Sequence, residues 1–193
     1  MNTIDAETST RNRIESAMSS DEIEAFAARV LKVNHAGENG AVNIYAGQIF
    51  LARITAPKIV AELIEFKSHE ERHRAIFWAE LQRRDRPRCR SYWLCGIGGF
   101  TLGLVTAAFG RRAIAATTVA VERVVLRHLE QQLILLDGKD EAAAEAIRSI
   151  VIDERQHHDQ SASHISRDRF WSRILAPVVS AFTEAVIWVG MRT

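Results

Sequence analysis

Residues 70–73 read Glu70-Glu71-Arg72-His73, and residues 154–157 read Glu154-Arg155-Gln156-His157. A lone glutamate precedes each pair at the same distance: Glu38 stands 32 residues before Glu70, and Glu122 stands 32 before Glu154. Residues three apart share one face of a helix, so each Glu-x-x-His pair aims a carboxylate and an imidazole the same way. One such match arises easily by chance in a glutamate-rich chain; two with matched upstream glutamates do not. Four helices that converge both pairs and both lone glutamates build a six-ligand site for two iron or manganese ions. The spacing therefore predicts an all-α, ferritin-like four-helix bundle, with Glu38, Glu70, His73, Glu122, Glu154 and His157 as metal ligands.

Working outward, the two sets are offset by 84 residues, the trace of a helical hairpin used twice. Strand signals are nearly absent, and the punctuation suits helices joined by short turns. A first helix is expected from about Asp21 to Ile54, with Ser19, Ser20 or Asp21 near its cap and Pro57 as the break. A second runs from Ala61 to about Arg84, before Pro87. The apolar run 113–121 leads into Glu122 and on to Leu136. Asp137-Gly138-Lys139-Asp140 reads as a turn, and one further helix takes Glu141 to about Ser163.

The chain of 193 residues fits one domain, expected over residues 21–193, after a mobile polar tail at 1–20. That N-terminus is acidic and lacks a long apolar run, so it does not read as a secretory signal. The net charge of +1 gives no general attraction to nucleic acid. Two cysteines, Cys89 and Cys95, make neither a disulfide framework nor a four-ligand zinc site.

The residue types fit the chemistry. Four carboxylates balance the charge of two divalent ions, which makes burial in an apolar bundle tolerable. Oxygen and imidazole ligands without thiolate favour iron or manganese. Glu70 and Glu154 would bridge the metals, Glu38 and His73 completing one and Glu122 and His157 the other. Tyr45 lies two turns after Glu38 on the same face, a candidate hydrogen-bond donor or redox group. His128 is a second candidate near the reacting centre, beside Leu129 at the position matching Tyr45. Asp159, after His157 and His158, is a candidate outer partner for a ligand histidine. A rival spelling, His69-Glu70-Glu71-Arg72-His73, matches the zinc-protease pattern. It leaves Glu38, Glu122, Glu154 and His157 idle.

Two apolar segments remain. Residues 91–110 carry no charge, with Arg90 before and Arg111 and Arg112 after. Residues 174–191 follow Arg167, Arg169, Trp171 and Arg173, and precede Arg192. Arginine-edged apolar helices suit docking on an anionic membrane surface rather than crossing it. An oxygen-activating metal pair beside a membrane-facing surface implies an apolar substrate.

Specific blocks carry a family resemblance: Val33-Asn34-His35-Ala36-Gly37-Glu38, Ile44-Tyr45-Ala46-Gly47-Gln48, Thr118-Val119-Ala120-Val121-Glu122 and Asp153-Glu154-x-x-His157-His158-Asp159. From about residue 29 onward the chain resembles the demethoxyubiquinone hydroxylases, with departures at Lys32, Asn34 and Leu129. The resemblance implies a monooxygenase with two iron ions and dioxygen as co-substrate, hydroxylating the ring of a polyprenyl quinol. It implies peripheral attachment to an inner membrane, mitochondrial or bacterial; the acidic N-terminus favours the bacterial setting, where the expected location is the cytoplasmic face. It leaves a homo-oligomer or a lipid-presenting helper protein open as partner. The alternative without quinone chemistry is a ferritin-like iron-binding protein.

Overall fold

The computed structural model describes residues 19–165 and 170–192. The expected tail at 1–20 lies outside these residues up to position 18, as do Arg167 and Arg169. The described residues form seven α-helices and no strand. They are α1 (Ser20–Thr55), α2 (Val60–Arg83), α3 (Tyr92–Ala108), α4 (Arg111–Leu136), α5 (Glu141–Arg148), α6 (Val151–Ile165) and α7 (Phe170–Gly190). The all-α, ferritin-like expectation holds.

Local chemistry explains the boundaries. Ser19 caps α1: its hydroxyl accepts from the Glu22 N–H at 3.3 Å, and the Glu22 carboxylate accepts from the Ser19 N–H at 2.8 Å. A short 3-10 turn, Pro57–Ile59, separates α1 from α2. Gly110 has φ +81°, a left-handed conformation that glycine takes without strain, and it turns α3 sharply into α4. The single helix expected over Glu141–Ser163 is instead two. Ser149 Oγ turns back onto the Ala146 carbonyl at 2.8 Å and competes with the helical ladder. The break lets Ile147 and Ile150 both be fully buried on either side of the bend.

The architecture repeats. Helices α1 and α2 form one hairpin, and α3 packs along α1; α4 and α6 form the other, and α7 packs along α4. The α1–α3 contact is unusually close. A Cβ on Gly99 would collide with the Gly40 carbonyl, and one on Gly103 with the Ile44 carbonyl. Glycine at both places is thus a packing requirement.

Two apolar clusters cap the bundle. One gathers Leu31, Phe77, Leu81, Leu129, Leu136 and Ile147. The other gathers Tyr45, Ile59, Leu63, Phe66 and Ile114. Each fully buried side chain of this size contributes roughly 1.5–3 kcal/mol relative to exposure, and together they hold the four central helices around the polar cluster between them.

Outward, α3 exposes Trp93, Leu94, Ile97 and Val105, and α7 exposes Phe170, Ile174, Val178, Phe182 and Trp188. The two helices adjoin, since a Cβ on Gly98 would lie 3.8 Å from the Phe182 ring. Among the described residues α7 alone is long and apolar enough to cross a membrane, by length and composition, and it carries Pro177 and Glu184.

Candidate metal centre

The four central helices deliver six side chains to one point. Helix α1 supplies Glu38, α2 Glu70 and His73, α4 Glu122, and α6 Glu154 and His157. None is more than 5% exposed, a depth at which ionisable groups must be paired, protonated or metal-bound. They fall into two overlapping groups whose ligand atoms lie within 4.8 Å of one another: Glu38, Glu70, His73 and Glu154, and Glu70, Glu122, Glu154 and His157. Glu70 and Glu154 belong to both groups.

The cluster fits metal on its own evidence. His73 Nδ1, His157 Nδ1, Glu70 Oε1 and Glu154 Oε1 are buried and close no hydrogen bond. His157 Nδ1 stands 3.1 Å from Glu70 Oε1, and His73 Nδ1 3.1 Å from Glu154 Oε1. These four orphaned ligand atoms form two close pairs, which bound cations would satisfy. This buried Glu/His cluster is able to hold metal.

Burial and mutual repulsion shift the acid–base balance within the cluster. Burial, and then repulsion from neighbouring carboxylates, pushes Glu38 and Glu122 well above the usual carboxylate range. Burial also disfavours charge on Glu70, but close contacts from His157, His73 and Glu38 outweigh it and hold Glu70 below the ordinary value. His73 shows the reverse balance. Burial opposes its proton, yet Glu154, Glu70 and Glu38 push it up to about 11.

The ring nitrogens facing outward are also held. His73 Nε2 lies 3.0 Å from Asp153 Oδ2, which also accepts from Arg72 Nη2 at 2.9 Å. His157 Nε2 lies 3.1 Å from His69 Nδ1. Sequence reasoning missed both partners. Asp159, the expected one, instead meets His158 Nδ1 at 2.9 Å on the exposed face of α6. The available signal was symmetry: Asp153 immediately precedes Glu154 as His69 precedes Glu70. His69 belongs to neither ligand group, so the zinc-protease spelling lacks its second histidine.

Tyr45 Oη donates to Glu122 Oε1 at 3.2 Å. Burial, then Glu122, pushes the phenol well above its ordinary value, so it keeps its proton and remains a donor. His128 lies further out, its Nε2 2.8 Å from Glu184 Oε2 on α7. Burial, then Arg127, lowers its basicity.

Above the cluster opens a small, partly open cleft of about 100 Å³. Its floor holds Glu38, Glu70, Glu122 and Glu154; Gly99 and Leu102 of α3 and Phe182, Val186 and Ile187 of α7 form its walls. Asn34, His128 and Thr183 are polar groups along it. The same two helices thus present an apolar face outward and line the route inward.

The chain is similar in sequence to known proteins. The family model described as ubiquinone biosynthesis protein COQ7 matches residues 25–190. A 3-demethoxyubiquinol 3-hydroxylase of Rhodospirillum rubrum is 34% identical over 171 residues, covering 87% of this chain and 79% of that protein. Two mitochondrial proteins named NADPH-dependent 3-demethoxyubiquinone 3-hydroxylase are also similar. That of Dictyostelium discoideum is 32% identical over 85% of this chain and 76% of its own. That of Mus musculus is 31% identical over 92% and 83%.

Proposed function

This chain belongs to the ubiquinone biosynthesis protein COQ7 family, and from that premise we propose how its cluster and cleft carry out the reaction. The chain is a hydroxylase of ubiquinone biosynthesis, acting on the ring of a demethoxyubiquinol. One observation carries the reading of its site: two four-ligand groups sharing Glu70 and Glu154 form the floor of an apolar cleft.

Glu38, Glu70, His73, Glu122, Glu154 and His157 hold two iron ions, which when bound supply the redox chemistry that activates dioxygen. Everything else in the site positions and protects. The apolar walls from α3 and α7 take a polyprenyl quinol and exclude water from the ring. Tyr45 steadies Glu122 through its hydrogen bond, and His128, anchored by Glu184, offers a polar contact to a quinol oxygen part-way along the cleft. One oxygen atom enters the ring C–H bond and the other leaves as water, with two electrons from the quinol or a nicotinamide donor.

The exposed apolar faces of α3 and α7 support attachment to a membrane surface, from which such a substrate comes. Arg90, Arg111 and Arg173 at the ends of these helices are exposed and suit anionic headgroups. In a bacterium this is the cytoplasmic face of the inner membrane.

Mass spectrometry of the quinone tests the reading. The protein is loaded anaerobically with ferrous iron, given demethoxyubiquinol in detergent with a chemical reductant, and exposed to oxygen. A product heavier by one oxygen atom is expected, and absent with Glu154→Ala. Bound and oxidised iron with an unchanged quinone would overturn it in favour of iron binding without substrate chemistry.

A further inference from the structure

The two halves of the cluster offer alike inner ligands but unlike outer partners. Each group has one histidine, one terminal glutamate and the two shared glutamates. Each histidine turns Nδ1 toward the cluster and Nε2 outward. Once Nδ1 is taken by a metal, Nε2 keeps its hydrogen and donates it outward. The acceptor for His73 is the Asp153 carboxylate, and the acceptor for His157 is the His69 imidazole.

A carboxylate acceptor makes a charge-assisted hydrogen bond, roughly twice as strong as a neutral one, and raises the basicity of the ligand ring. An imidazole acceptor does so less. Arg72 shares Asp153 Oδ2 and draws on its charge, but Arg72 is 56% exposed and screened by solvent. A second difference acts in the same direction. Tyr45 donates to Glu122 and withdraws electron density from that ligand. The matching position in the other half is Leu129, which has no hydrogen to offer Glu38.

We infer that the two metal positions are inequivalent: the ion held by His73 and Glu38, backed by Asp153, binds first and more tightly than the ion held by His157 and Glu122, backed by His69. The inference rests on the reading of the cluster as a two-metal site. Asp153 and His69 are then positioning residues that set the order of loading, each reaching from one hairpin to the histidine of the other.

Anaerobic cobalt(II) titration of the full metal-free chain, followed by ligand-field absorption and calorimetry, tests this. Two equivalents are expected to bind in two steps, at least about tenfold apart in affinity. Asp153→Asn keeps the shape and removes the charge, and is expected to weaken the first step about 10–100-fold while sparing the second. Asp153→Glu restores the first step. His69→Ala weakens the second step alone, and His69→Gln, a neutral acceptor, preserves it. Mössbauer spectra of the chain loaded with ferrous iron-57 are expected to show two unequal sites that change one at a time in these variants. Two equivalents binding with a single affinity would overturn the inference and leave the two-metal reading standing, as would Asp153→Asn weakening both steps alike. Fewer than two equivalents in the unaltered chain would overturn both.

Discussion

Tyr45 on α1 and Glu122 on α4 are joined by a 3.2 Å hydrogen bond between fully enclosed side chains, 77 positions apart in sequence. The bond crosses from one hairpin to the other at the floor of the cleft. Tyr45→Phe removes the donor and keeps the ring against Phe66. Stability is expected to fall by only about 1 kcal/mol, with two metals still bound. Hydroxylation is expected to fall about tenfold or more, because Glu122 loses the contact that orients it. Product yield per metal-loaded protein checks this; unchanged yield would make Tyr45 a packing residue.

Metal loading should release protons. Metal-free, burial and neighbouring carboxylates push Glu38 and Glu122 well above the usual carboxylate range, and His73, pushed up to about 11, is charged at neutral pH. A cation displaces protons from these side chains. Zinc titration near pH 7 in weak buffer with an indicator dye is expected to show net proton release on loading, with the His73 proton among those displaced. Affinity is expected to fall as pH falls, because more protons then compete for the same atoms. Proton-neutral loading would mean the metals bind elsewhere.

The α1–α3 contact makes glycine substitutions unequal. Gly103→Ala drives a methyl group into the Ile44 carbonyl, which belongs to a helix backbone and cannot turn aside. It is expected to cost about 3 kcal/mol or more, or to prevent folding. Gly98→Ala meets only the Phe182 ring at an ordinary 3.8 Å. It is expected to stabilise by roughly 0.5–1 kcal/mol through helix propensity. Urea denaturation of the two variants separates these outcomes.

Arg84 ties α2 to the turn before α5. It reaches Asp140 through two bonds of 2.6 and 2.7 Å and Glu80 at 2.7 Å. Asp140 is held below its ordinary 3.8 by Arg84 against the effect of burial, with help from the Ala143 N–H. Glu80 is held below its ordinary 4.5 by Arg83, against burial, and by Arg84. Depressed carboxylates contribute stability above their unfolded values and lose it as pH falls through the folded ones. Arg84→Met is therefore expected to cost about 2 kcal/mol at pH 7, and less as pH drops below 3.8. A pH-independent difference in unfolding free energy would contradict the assignment.

Much of the site was legible because helical geometry converts spacing into direction. Glu70 with His73, and Glu154 with His157, share a face whatever the rest of the chain does. The equal 32-residue intervals then say that two hairpins present the same constellation. Asp159 shows where that logic stops. Adjacency to His157 suggested a partner, but two residues on around a helix is nearly the opposite face, and Asp159 ends 81% exposed. The break at Ser149 was likewise invisible, since the run from Glu141 carries neither glycine nor proline to mark it.

The sequence by itself determined the six inner side chains, the all-helical class and the two apolar segments, because each is written in local periodicity. Only the tertiary structure decided that Asp153 and His69 cross between hairpins to hold His73 and His157. It alone placed Gly99 and Gly103 against the backbone of α1, and set α3 and α7 as both outer face and cleft wall. These are contacts between elements distant in sequence, and their pairing depends on how the helices pack around one buried charge cluster.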